Sequence, residues 1–287
     1  MLASKAIPKN VEPTVLSGWR QDSLADPERL PRFPDAWSMN ASQIDFSLLL
    51  DTLKPAMVAL VEVYGVAGGV PSGSWSPPPV LVASLSRLFE VLREMEGGFA
   101  VGPEGDGARH DLGILGNYGI RLLDEAAGWA SDLGQPVLSQ AFSSLVLPLA
   151  CWTGGYGGTL TALKPIVDNL LQLTDQTTSR ADSERLFSVM DAILTAVEPA
   201  IFLDADSTDS RRAWRILVLN RAMVATRTYQ RFLMERAFKT LVYRLPEDAP
   251  EFFREGMVQL ERLDSPPEAR ELMFAYCQAW GLPRSLH

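Results

Sequence analysis

At 287 residues, with 47% hydrophobic and 21% charged residues, the chain has the composition of a folded protein with a sizeable core, not of a disordered one. Its net charge of −9 and pI near 4.9 disfavour non-specific binding of the whole molecule to nucleic acid or to an acidic membrane. The two cysteines, Cys151 and Cys277, lie far apart in apolar helical patterns, which gives no support to a disulfide framework and fits a reducing, cytoplasmic setting.

The first forty residues hold Pro8, Pro13, Pro27, Pro31 and Pro34, with Trp19 and Phe33 between them and Trp37 just after. Proline at that density blocks regular helix, and the aromatics offer anchors, so residues 1–40 are expected as an extended arm lying on the helices. No apolar core of signal-peptide type precedes Pro8, and no long uncharged apolar stretch follows, so neither a leader nor a membrane span is expected.

From Ser42 onward apolar residues recur at three and four, between proline- and glycine-rich breaks, which is the pattern of amphipathic helices. Segments are predicted at 43–65, 79–96, 110–132, 136–152, 159–174, 181–197, 208–228, 229–244, 248–263 and 266–280. Asp182 with Ser183, and Asp209, mark helix starts, and Pro136, Pro250 and Pro266 stand near N-termini, where proline is tolerated. No segment alternates with period two. The fold class is therefore all-α, with about ten helices.

Weak internal similarity runs through the chain. Arg87-Leu-Phe-Glu-Val-Leu92 resembles Arg185-Leu-Phe-Ser-Val-Met190, and a Leu-Lys-Pro precedes each, at 53–55 and 163–165. Ala141-Phe-Ser-Ser-Leu-Val-Leu-Pro-Leu149 likewise resembles Ala237-Phe-Lys-Thr-Leu-Val-Tyr-Arg-Leu245. The order suggests one helical-repeat domain over 41–287 with units at 43–96, 110–197 and 208–280, stacked as antiparallel hairpins in an α-solenoid-like array. The period is not the ~34 residues of tetratricopeptide repeats, so the likeness to such arrays is one of architecture and implies no partner.

Chemistry is sparse. The histidines are His110 and His287, too few and too far apart for the usual helical metal sites or a histidine acid–base scheme. Asp204-Ala-Asp206-Ser-Thr-Asp209 opens like a calcium loop, but Asp209 stands where glycine is needed and Arg215 where a bidentate glutamate belongs, so these carboxylates are expected to cap a helix. Trp152-Thr-Gly-Gly-Tyr-Gly-Gly158 follows no strand and lacks the Lys-Ser/Thr ending of a phosphate loop, and reads either as a flexible glycine turn with Trp152 and Tyr156 folded onto the core or as a loop on a binding edge. No metal and no cofactor is expected.

In an up-and-down helical chain alternate connections fall on one edge, which would gather Glu104, Asp106, Trp152, Tyr156, Asp204 and Asp206 into an acidic, aromatic rim suited to a cationic peptide. Residues 208–245 carry nine arginines and lysines against two carboxylates, with Arg211 and Arg215 on one face, whereas 246–287 holds eight carboxylates against four arginines. That basic stretch either pairs with the acidic segment after it or holds an acidic protein, a phosphate or RNA. Gly113, Gly116, Gly119 and Gly128 in one helix allow close approach of another element, or of a flat ligand served by Asp124 and Glu125.

The leading functional expectation is a non-enzymatic helical-repeat adaptor that holds a protein or peptide partner, with homo-oligomerisation open to it through its aromatic C-terminal hairpin. The alternatives are a small-molecule-binding or catalytic bundle near 110–132, and nucleic-acid or phosphate binding through 208–245.

Overall fold

A computed structural model describes residues 46–68, 76–98, 105–197, 208–263 and 265–280. The arm expected at 1–40 lies outside the described residues, as do Glu104, Asp204 and Asp206. The chain is all-α: the elements are α1 (Phe46–Val66), α2 (Pro78–Gly98), α3 (Asp106–Asp132), α4 (Pro136–Ser143), α5 (Val146–Gly155), α6 (Leu163–Gln176), α7 (Arg180–Ala196), α8 (Thr208–Thr228), α9 (Arg231–Arg244), α10 (Ala249–Arg262) and α11 (Pro267–Trp280). Only Ser144 and Leu145 separate α4 from α5, and with these two taken as one broken run the count among the described residues is ten. Among the described residues there is no strand, only an isolated bridge between Leu160 and Val197.

Helix ends follow local chemistry. Ser179 caps α7 by accepting from the Asp182 N–H at 3.0 Å, which satisfies one of the orphan donors of the first turn. Pro136 and Pro250 occupy first-turn positions of α4 and α10, where a missing N–H costs nothing.

The chain divides into two compact units. The first draws on Asp45–Gly98 and Leu122–Leu145. Its core is Leu53, Met57, Leu60, Leu81, Leu85, Phe89, Leu123, Ala126, Trp129 and Phe142, all buried. Trp129 Nε1 donates to the Ser76 carbonyl at 2.9 Å, the Glu125 carboxylate accepts from the Ser76 N–H, and Tyr64 meets the Trp129 ring edge-on at 5.2 Å. Glu125, one of the carboxylates considered for chemistry, thus anchors the chain entering α2.

The second unit draws on Phe99–Arg121 and Val146–His287. Its centre is α8, which packs against α6, α7 and α9, and α11 closes on both α9 and α10. Phe238 of α9 lies within 5.1–5.9 Å of Phe252, Phe253 and Tyr276, joining α9, α10 and α11 through edge-to-face ring contacts.

Pro136–Gly155 is the one described helical run long and apolar enough to cross a membrane, and half of it is buried inside the protein. Within that run, burial pushes the Cys151 thiol up from 9.0 to about 11. At pH 8 its thiolate fraction is about a hundredfold below that of an ordinary thiol, and the thiolate is the reactive form. In a Cys277→Ala background, disulfide-reagent labelling of native protein at pH 8 is therefore expected to be slow and to accelerate sharply in denaturant. Equal rates would mean that this helix opens freely.

Candidate protein-docking groove

The residues singled out in the sequence separate on the structure. Asp106 is exposed in the first turn of α3, near Arg109. The glycine turn is its neighbour, since a Cβ at Gly157 would come within 3.2 Å of the Arg109 side chain. Trp152, expected on the rim, is instead fully buried, because the helix does not end at 152 but continues as α5 to Gly155 and points the indole inward. Tyr156 is half-buried and meets the Trp152 ring at a tilt, with the ring centres 5.4 Å apart.

Two of the glycines of α3, Gly113 and Gly116, serve close packing of the chain on itself. A Cβ at Gly116 would sit 2.1 Å from Thr153 Oγ1, and one at Gly113 would sit 3.0 Å from the Thr159 nitrogen. Beside them the buried Asn117 binds the irregular stretch after α5. Its Nδ2 donates to the Gly113 and Thr159 carbonyls, both at 2.7 Å, and its Oδ1 accepts from the N–H groups of Thr161 at 2.7 Å and Ala162 at 2.9 Å. This face of α3 is filled by residues 153–162.

The basic stretch 208–245 is drawn largely into intramolecular pairs. Arg221 is 2% exposed, bonded to Asp191 of α7 through Nε at 3.1 Å and through Nη2, with its guanidinium 4.5 Å from the Phe187 ring centre. Desolvation pulls the Arg221 pKa below its ordinary value, and the Asp191 bond opposes that shift. Arg236 takes the other Asp191 oxygen. Arg215, a predicted partner-binding residue, clasps Asp248 with Nε at 2.9 Å and with Nη2, and this bond raises its pKa. The link joins the basic stretch to the acidic segment after it. Arg211 is exposed on α8.

These pairings frame a feature that no motif announced. Between α8 and α10, with Leu171 of α6 and Met273 of α11 contributing, lies an open groove of about 1130 Å³. The α8 wall repeats at helical spacing as Ile216, Leu219, Met223 and Arg227, and the α10 wall as Phe252, Gly256 and Leu260, continued by Leu263 just past the helix end. A Cβ at Gly256 would strike Met273 at 2.7 Å, so glycine there admits the methionine. The Arg215–Asp248 pair closes one end. Towards the other, Arg227 donates to the Thr174 carbonyl at 2.7 Å, one of the orphan acceptors at the end of α6, and Asn220 Nδ2 bonds Thr174 Oγ1 at 2.9 Å. Three apolar side chains on the walls stand open to solvent: Met223 at 38%, Val258 at 45% and Leu263 at 63% exposure.

Among the described residues no three histidine, cysteine, aspartate or glutamate side chains gather as metal ligands. Fold and groove together define an all-helical chain whose second unit carries an apolar, charge-rimmed cleft. Comparison with known proteins adds no further constraint: no family model, no curated protein and no solved structure matches the chain.

Proposed function

We propose that the chain is a non-enzymatic helical adaptor whose α8–α10 groove receives an amphipathic helix from a protein partner. The observation that carries this reading is the groove itself: open along its length, apolar in its walls and edged by charge. At about 1130 Å³ and unenclosed, it exceeds the roughly 300–1,000 Å³ clefts that bury most of a small ligand. A β-strand has no template among the described residues, since every regular element is a helix whose backbone is bonded internally. A helix laying one apolar face between two others needs only side-chain contact, which the two walls offer at matching spacing.

The stacked-hairpin reading belongs to the same proposal. What supports it within the second unit is the order of packing, with α8 on α6 and α7 and α11 on α9, so that each hairpin rests on the one before. The expectation of a cationic partner also stays within the proposal, and the rim that was to hold it moves from the glycine turn to the groove.

The test uses a defined probe, a side-chain-stapled fourteen-residue helix with a leucine stripe and a glutamine polar face, titrated into full-length protein by fluorescence anisotropy. Binding is expected, and Met223→Glu is expected to weaken it at least about tenfold, a loss of ~1.4 kcal/mol, by setting a charge in the apolar wall. Val137→Glu, at an exposed position on α4, serves as control and should leave affinity unchanged. No binding, or equal binding by Met223→Glu, sinks the proposal.

A further inference from the structure

A surface complementary to the groove exists on the same chain. On α9 the inner row Met234, Ala237, Phe238 and Leu241 is buried. Directly opposite, Phe232, Arg236, Lys239 and Tyr243 recur at steps of four, three and four, which at 100° per residue places them in an arc of about 60°. Phe232 at 70% and Tyr243 at 78% are the two most exposed large apolar side chains among the described residues. Lys239 forms no ion pair among the described residues, and Arg236 stays half exposed while holding Asp191.

The groove rim carries two carboxylates opposite in charge to the stripe. Glu251 and Glu255 stand four apart and exposed on its α10 edge, and neither forms an ion pair among the described residues. Of the rim's three arginines Arg215 is ion-paired with Asp248, whereas Arg227 and Arg254 are oriented by bonds to the Thr174 and Pro250 carbonyls and keep their charge. The lengths also agree. At 1.5 Å per residue Phe232 to Tyr243 spans about 16 Å, and the wall from Arg215 to Arg227 about 18 Å.

We propose that the groove's occupant is α9 of a second copy of this chain, with Phe232 and Tyr243 entering the apolar cleft and Lys239 meeting Glu251 and Glu255. This rests on the reading of the groove as a helix receptor and names its partner. The two surfaces differ, so the contact is heterologous: it closes where two copies exchange α9 reciprocally and propagates where they do not. One helix in one groove is a small interface, so association is weak and shows at high protein concentration.

Sedimentation velocity of full-length protein across a wide concentration range is the test. Wild type is expected to associate. Phe232→Asp with Tyr243→Asp disables the stripe, and Glu251→Lys with Glu255→Lys disables the groove rim. All four positions are exposed, and unchanged thermal melting verifies the fold of both variants. Each variant alone should associate at least about tenfold more weakly. An equimolar mixture at the highest concentration should give a one-to-one heterodimer and nothing larger, because one intact groove meets one intact stripe. A monomeric wild type, association that survives in both variants, or a mixture that stays monomeric overturns the proposal. If the stapled leucine helix still binds in a Met223-dependent way while the protein stays monomeric, the groove reading stands and the second copy is not its partner. If that probe also fails, both fall.

Discussion

Replacement of Asp191 by alanine is expected to destabilise the second unit by about 3–5 kcal/mol, the cost of leaving a buried charge without its counter-ion. The reason lies in the surroundings of Arg221. It is one of the largest fully buried side chains among the described residues, and the Asp191 carboxylate is its one ion-pair partner there, shared with the half-exposed Arg236. Arg236 can turn to water when the carboxylate is gone, and the side chain of Arg221, buried where α8 meets α7, cannot. Domains of this size hold about 5–15 kcal/mol in all, so the loss is a large share of the total. Urea unfolding followed by circular dichroism reads it as a drop in midpoint. The double variant Asp191→Leu with Arg221→Met removes both charges together and is expected to recover most of the stability, since replacing a buried pair by apolar groups is often neutral. A single-variant effect under about 1 kcal/mol would mean that water reaches the guanidinium and that the pair behaves as a surface salt bridge.

Helix positions were legible because periodicity is a local property, and the ten predicted segments all correspond to helices. The departures have local causes. The α3 helix begins at Asp106, ahead of the expected 110, because Gly105 at φ +93 makes the turn and Gly107 is absorbed into the first turn. The α6 helix begins at Leu163 where 159 was expected, because Thr159, Thr161 and Ala162 spend backbone groups on Asn117 and Leu160 gives its N–H to the Ala196 carbonyl.

Burial of polar groups was less legible. Arg221 is one of the nine cations of the basic stretch, and nothing in that count sets it apart; yet Leu217, Val218, Val224 and Ala225 around it are all buried, and an arginine among such neighbours signals a hidden partner. The partner stands thirty residues earlier, on α7. The groove had no sequence signature at all. Ile216, Leu219 and Met223 read as any core stripe would, and only the separation of α8 from α10, set by how α9 and α11 pack, leaves that stripe uncovered. Phe232 and Tyr243 escaped notice for the same reason, since an aromatic on a helix says nothing of its exposure until the opposite face is seen to be buried.

Asn117→Leu is expected to cost about 2–5 kcal/mol and to loosen the segment between α5 and α6. Leucine keeps the volume but makes none of the four hydrogen bonds, and a buried backbone donor or acceptor left unmade costs about 1–3 kcal/mol. Of the groups it abandons, the Gly113 carbonyl lies inside α3, and the Thr161 and Ala162 N–H groups and the Thr159 carbonyl belong to backbone outside any helix, so the loss falls mainly on 159–162. Asn117→Asp separates the two halves of the amide. Its oxygens still accept from Thr161 and Ala162, but a carboxylate has no donor for the two carbonyls and brings a negative charge against them, so it should be no better than leucine at neutral pH and improve as acid protonates it. Amide hydrogen exchange supplies the local readout. In the wild type the N–H groups of Thr161 and Ala162 should be protected despite lying in no regular element, and both substitutions should speed their exchange well beyond that of the α8 core. Protection unchanged in Asn117→Leu would mean that the Leu160 N–H bond to the Ala196 carbonyl, at 2.8 Å, holds the segment without the asparagine.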